Sequence, residues 1–124
     1  MQKILVARPI FPDVVERLKR HFDVDWNDGP ALPPDELARR LADKDGALTA
    51  GDPIGAAIFA AAPRLRAVAN MAVGFNNFDI DAFNAANVIA TNTPDVLNEA
   101  TADFGWALMM AAARRVTESE HWLR

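Results

Sequence analysis

Apolar positions along the chain fall into short runs without alternation, separated by stretches with a helical repeat. Lys3 to Ala7 (KILVA) is apolar on both sides of the backbone, which predicts a strand buried on both faces of a parallel sheet. From Pro12 to Arg20, Val14, Val15 and Leu18 gather on one side, while Glu16, Arg17, Lys19 and Arg20 lie largely on the other. That repeat predicts a surface helix, with Pro12 tolerated in its first turn. Phe22, Val24 and Trp26 alternate with Asp23, Asp25 and Asn27, so the second strand has one wet face and belongs at a sheet edge. Asp28-Gly29-Pro30 ends it.

The same alternation of elements continues. Pro33 to Asp43 predicts a helix with Leu37, Ala38 and Leu41 inward and Asp35 and Glu36 in its first turn, where the helix dipole favours negative charge. Strands are predicted at Ala47 to Ala50, Leu65 to Ala69 and Val88 to Thr91, and an alanine-rich helix at Ile54 to Ala61. Asp79 to Ala86 reads as a short helix capped by Asp79, with Asn87 supplying the left-handed turn at its end. Five strands alternating with helices predict an α/β fold: a five-stranded parallel sheet with helices on both faces. Ligands of such sheets collect beyond the carboxyl ends of the strands. That edge comprises the loops at Arg8 to Phe11, Thr49 to Pro53, Met71 to Asn77 and Asn92 to Leu97.

The last element departs from this pattern. Asn98 to about Leu123 reads as one long helix with Asn98 as N-cap, and its ten-residue segment Phe104 to Ala113 (FGWALMMAAA) has no polar face. A helix apolar all round must be covered all round, so this one is expected to meet a partner, with Trp106 buried against it. The predicted domains are accordingly 1–97, a substrate-binding unit, and 98–124, an interdomain or dimerisation helix.

Composition narrows the function classes. The 124 residues form one domain by size, 51% of them hydrophobic, with a formal net charge of -4 and no run of Lys or Arg. Nucleic acid is therefore not an expected partner. There are no cysteines and only two histidines, His21 and His121, which excludes disulfides and thiolate metal sites and leaves no metal-ligand spacing. The opening lacks a secretory pattern, and Phe104 to Ala113 is too short to span a bilayer; a cytoplasmic, metal-free protein is expected.

Between Ala67 and Phe78, and again between Ala82 and Pro94, no side chain is charged, yet Asn, Thr and Gly abound. Such sequence suits backbone that meets a ligand through main-chain donors. Gly74 is open to two readings, a tight turn after a strand or an anion contact. Asn70 and Thr49 to Gly51 read as loop hydrogen-bonding residues, and Arg8 as a solvated surface arginine. A phosphate-accepting receiver wants an acidic pair where Arg8-Pro9 stands. A flavin domain wants a Ser/Thr/Gly-rich phosphate loop where Ile10-Phe11-Pro12 stands.

VGFNNFDIDA, then TNTPDVLNEATADFGWALMMAAARR and the closing E-x-x-WLR, resemble the D-2-hydroxyacid dehydrogenases. The strand and helix order from Lys3 onward is similar to that family's flavodoxin-like substrate domain, and ARPIFPDVVERL resembles its glyoxylate and hydroxypyruvate reductase branch. The resemblance implies hydride transfer between NAD or NADP and a 2-keto acid, with Val73 and Gly74 holding the substrate carboxylate by their backbone N–H groups. It also implies that Leu97 lines the substrate and that Thr101 faces the nicotinamide end of the cofactor, beside a plain reading of both as helix-start residues. The family's GxGxxG turn and its catalytic Arg, Glu and His have no counterpart here: the glycines are 29, 46, 51, 55, 74 and 105. No catalytic residue is therefore assigned, no bound cofactor is expected, and the chain is expected to be inactive alone. The resemblance further implies a far C-terminal helix that returns onto this domain. The competing reading is a non-catalytic module that self-associates, as a homodimer, through the 98–124 helix.

Overall fold

The computed structural model describes all of residues 1–124. Two compact units follow one another, Met1–Thr93 and Pro94–Arg124, and each is described by itself.

The first unit is a five-stranded, wholly parallel sheet in the order β2-β1-β3-β4-β5, a flavodoxin-like arrangement. Its strands are β1 (Lys3–Val6), β2 (Asp23–Trp26), β3 (Gly46–Thr49), β4 (Ala67–Asn70) and β5 (Ile89–Thr91). Between them run α1 (Pro12–Lys19), α2 (Pro34–Leu41), α3 (Ala56–Ala61) and α4 (Ile80–Ala86). Right-handed crossovers put α1, which leads from β1 outward to β2, on one face, and α2, α3 and α4, which step the other way, on the opposite face. As its alternation predicts, β2 is an edge strand.

Pairing register decides what each face presents. Leu5, Ala47, Val68 and Ala90 lie side by side in one row across the sheet. The first three of these join Leu37 and Leu41 of α2, Ile58 of α3 and Phe83 of α4 in the principal core. Burying each large side chain of this kind contributes about 1.5–3 kcal/mol. Phe83 anchors its end of the core, stacking edge-on against Phe59 at 4.9 Å and tilted against Phe78 at 4.8 Å between ring centroids.

The neighbouring rows, Ile4–Gly46–Ala67–Ile89 and Val6–Leu48–Ala69–Thr91, face the other way. There α1 buries Val6 with Val15, but its cover does not extend to β5, where Ile89 is 66% exposed. The uncovered strip is an apolar concavity of about 370 Å³, lined by Ile4, Leu48, Ala67, Ala69 and Thr91.

Several boundaries move from their predicted places for physical reasons. Ile54 does not start α3; it forms an isolated parallel bridge with Phe78, its N–H bonding Asn77 O at 2.9 Å and its carbonyl accepting from Asp79 N at 3.0 Å. Asp79 caps α4 by accepting from Ala82 N, and Asn87 closes it at φ 53°, both as the sequence predicts.

The second unit holds α5 (Asn98–Ala113) and α6 (Val116–Trp122), so the single long helix expected to reach about Leu123 is broken after 16 residues. Arg115 takes a left-handed conformation, φ 52°, and its guanidinium forks onto Glu118 at 2.7 and 2.8 Å in the first turn of α6. The expected N-cap also shifts. Leu97 takes the cap position, and the Asn98 side chain turns back to donate to Asp95 Oδ1 at 2.9 Å rather than capping the helix. From Thr93 to Arg124 every residue is exposed except the half-buried Ala111.

Candidate functional site

Beneath the loops at the carboxyl edge of the sheet lies a buried polar network. Thr49, Asp52 and Asn70 are at most 2% exposed, an unusual concentration of polar side chains for an interior that must satisfy each of them. Asn70, the last residue of β4, accepts from Gly51 N and Thr49 Oγ1, both at 3.3 Å. It donates to Gly74 O at 2.9 Å and to Asn77 Oδ1 at 3.1 Å. Asn77 in turn donates to Asp52 O at 2.9 Å. Asn70 does hydrogen-bond the loops, as read from the sequence, but it does so from the buried end of a strand rather than from a loop.

Arg8 is also not a solvated surface arginine. Its Nε lies 2.9 and 3.1 Å from the two Asp52 carboxylate oxygens, and Nη2 lies 2.9 Å from Oδ1. Asp52 additionally accepts from Ala50 N at 3.2 Å. A carboxylate this deeply buried needs such a partner, because desolvation strongly penalises an isolated charge.

Upon this base sits the loop Met71 to Asn77. Four successive carbonyls are each held from the protein side: Ala72 O by Thr93 N at 3.0 Å, Val73 O by Asn92 Nδ2 at 2.8 Å, Gly74 O by Asn70 Nδ2 at 2.9 Å, and Phe75 O by Phe78 N at 3.0 Å. In a trans peptide the C=O and the next N–H point in opposite directions, and the chain has no cis bond. The N–H groups of Val73, Gly74, Phe75 and Asn76 therefore point away from these partners, and none donates to another protein group. Successive backbone N–H groups left unpaired in this way are the kind of donor that can receive an anion. Val73 and Gly74 are both exposed, so the donors can be approached from solvent.

Gly74 does not have a positive φ, so its backbone conformation does not demand glycine. A Cβ there would meet Asn76 Oδ1 at 3.4 Å, an ordinary contact. Gly51, by contrast, sits at φ 83°, where an L side chain is strained.

Leu97 and Thr101 belong to the second unit, both exposed and one helical turn apart, with Thr101 N donating to Leu97 O at 2.9 Å. His21 and His121 take no part in the network. The sequence reading missed Asp52, Asn77 and Asn92 as partners; the only hint was their place in uncharged or turn-rich loops.

Three aspartate carboxyls away from this edge have shifted pKa values. Lys3, then Lys44, holds the Asp43 carboxyl well below the usual range, and the Lys3 backbone N–H with Arg64 lowers that of Asp45. At Asp25 burial opposes ionisation, but Arg40 and Lys44 outweigh it and the pKa falls. No group of three or more His, Asp or Glu residues is placed to hold a metal, and no helix is long and apolar enough to cross a membrane.

The turn after β1 does not fit the pyrophosphate of the dinucleotide that the resemblance implies. After β1 the turn into α1 reads Arg8-Pro9-Ile10-Phe11-Pro12, without glycine, and Phe11, 79% exposed, occupies the N-cap. A pyrophosphate cradle needs close backbone approach at that turn.

A wholly parallel five-stranded sheet in this order, with helices on both faces, defines the class: a flavodoxin-like α/β domain. The model of the family "D-isomer specific 2-hydroxyacid dehydrogenase, catalytic domain" matches residues 4–119, and the chain belongs to that family. It is 42% identical over 124 residues to a glyoxylate reductase of Thermococcus kodakarensis, covering 98% of this chain and 37% of that relative. Among solved structures it resembles a protein of Thermus thermophilus with a TM-score of 0.86 and 35% identity, over 98% of this chain and 40% of the other. It also resembles an NADPH-dependent glyoxylate/hydroxypyruvate reductase of Sinorhizobium meliloti in complex with NADP and malonate, with a TM-score of 0.72 and 32% identity, over 99% of this chain and 38% of the other. The chain thus spans well under half the length of these relatives.

Proposed function

We propose that this chain is the substrate domain of an NAD- or NADP-dependent 2-hydroxyacid dehydrogenase of the glyoxylate or hydroxypyruvate reductase type. The observation that carries the reading is the run of four held carbonyls at residues 72–75, which leaves the N–H groups of Val73, Gly74 and Phe75 free for a carboxylate. Fixed by the fold, these donors orient the acid without reorganising when it binds. Malonate in the Sinorhizobium meliloti relative is an acid of the same chemical kind. Leu97 and Thr101 are assigned to the lining of the substrate and the nicotinamide, as the family resemblance implies.

The chain by itself binds the acid and performs no hydride transfer, because the groups that hold the dinucleotide and move the proton are not among its residues. The 98–124 segment, α5 followed by α6, is assigned as the interdomain element, and the open strip of sheet beside α1 fits a further helix of a longer protein. Two measurements test this. Titrating oxalate, an unreactive analogue of glyoxylate, into the isotopically labelled chain shifts the amide signals of residues 73–76, with a dissociation constant on the order of 1 mM, near -4 kcal/mol. The same sample shows no oxidation of NADPH or NADH with glyoxylate. Unmoved amides refute the cradle, and turnover refutes the inactive substrate domain.

A second reading rests on the exposure of α5, where Phe104 is 66% and Trp106 64% exposed. In it the chain is a self-associating module, a homodimer paired through that helix, by simple contact or by exchange. Light scattering decides: a dimer that Trp106→Glu dissociates supports it, and a soluble monomer refutes it.

A further inference from the structure

We propose that Asn92 and Asn70 are positioning residues for the anion cradle, setting by their side-chain amides which way its central donors face. This rests on the cradle reading given above. Of the four carbonyls held from behind, two are bonded by backbone N–H groups, Ala72 O by Thr93 and Phe75 O by Phe78. The two between them are held by side chains alone: Val73 O by Asn92 and Gly74 O by Asn70. The peptide units concerned are those whose other ends are the N–H groups of Gly74 and Phe75. Rotating either unit about its flanking bonds turns its N–H away from solvent and presents a carbonyl oxygen to an incoming anion.

The chemistry fixes both amide orientations. Val73 O is only an acceptor, so the NH₂ group of Asn92 must face it. Asn70 meets an acceptor at Gly74 O on one side and a donor, Gly51 N–H, on the other, and only one orientation serves both. Asp at either place has the same shape and no donor when ionised. Its oxygen repels the carbonyl that the amide attracts.

Asn92 is the residue to change first, because it lies at the surface end of β5 and its hydrogen bond is solvent-exposed. Oxalate is titrated into the labelled wild-type chain, Asn92→Ala and Asn92→Asp. Both variants are expected to bind oxalate about tenfold more weakly, the shift induced at the Gly74 amide disappearing while that at Asn76, whose peptide unit is held by Phe78 N, persists. The spectrum of residues 1–70 stays unchanged, which separates positioning from unfolding. Because Asn92→Ala adds no charge, its loss of binding is not repulsion between Asp and oxalate. If one variant fails to fold, the other, together with Asn70→Ser, reads the same Gly74 and Phe75 shifts. Undiminished binding with the Gly74 shift intact overturns the positioning role and leaves the cradle standing. A wild-type chain whose residues 73–76 do not respond to oxalate overturns both.

Discussion

Arg8 and Asp52, 44 residues apart, form a forked ion pair in which the carboxylate is 2% exposed and the guanidinium side chain 29% exposed. The pair ties the loop after β1 to the loop after β3, and through Asp52 O and Asn77 it reaches the loop that carries the outward N–H groups. Removing the cation leaves a buried charge without its main partner. Arg8→Met is therefore expected to destabilise the domain by about 2–4 kcal/mol in urea unfolding. Adding Asp52→Asn to the same chain should recover part of that loss. An Arg8→Met chain as stable as wild type would show the pair to be superficial.

Gly51 provides a backbone test of the same region. At φ 83° a methyl group is strained even though no atom lies near the Cβ position. Gly51→Ala is expected to cost about 1 kcal/mol, lowering the thermal midpoint by several degrees.

Gly74→Ala separates stability from binding. Its conformation accepts alanine and its nearest neighbour lies at an ordinary contact distance, so the melting temperature should hardly change. A methyl group on this central residue of the proposed cradle should weaken oxalate binding about tenfold, or ~1.4 kcal/mol, read from the same amide titration.

Acid stability follows from three carboxyls away from the site. Asp25, Asp43 and Asp45 all have pKa values lowered from 3.8 in the folded chain. A lowered folded pKa stabilises above the unfolded value, and that contribution is lost as pH falls from near 3.8 through the folded values. Stability from these groups should be level near neutrality and decline below about pH 4. Asp25→Asn removes one share of the decline, measurable as a shallower slope of unfolding free energy against pH.

Much of the architecture was legible because its signals are local. KILVA announces a doubly buried strand, the alternation at Phe22 to Trp26 announces an edge, and Asp79 with Asn87 brackets a helix by cap chemistry alone. The candidate site is less legible. The charge-free stretch around Val73 and Gly74 suggested backbone donors, but the hydrogen bond that holds the Val73 carbonyl comes from Asn92, 19 residues away, and a pairing across strands leaves no mark in either segment. Arg8 and Asp52 were missed for the same reason. The break at Arg115 was hidden differently: arginine has good helix propensity, and nothing in Arg114-Arg115 foretells a left-handed residue.

The nearly complete exposure of Thr93 to Arg124 has a calorimetric consequence. Heat capacity rises on unfolding chiefly because apolar surface becomes hydrated, by about 12–15 cal/mol/K per residue in ordinary domains. In the chain as it stands, Phe104, Trp106, Leu108 and Met109 are more than half hydrated before any unfolding begins. Melting that segment transfers little new hydrocarbon to water, so the unfolding heat capacity per residue of this chain falls below the usual figure.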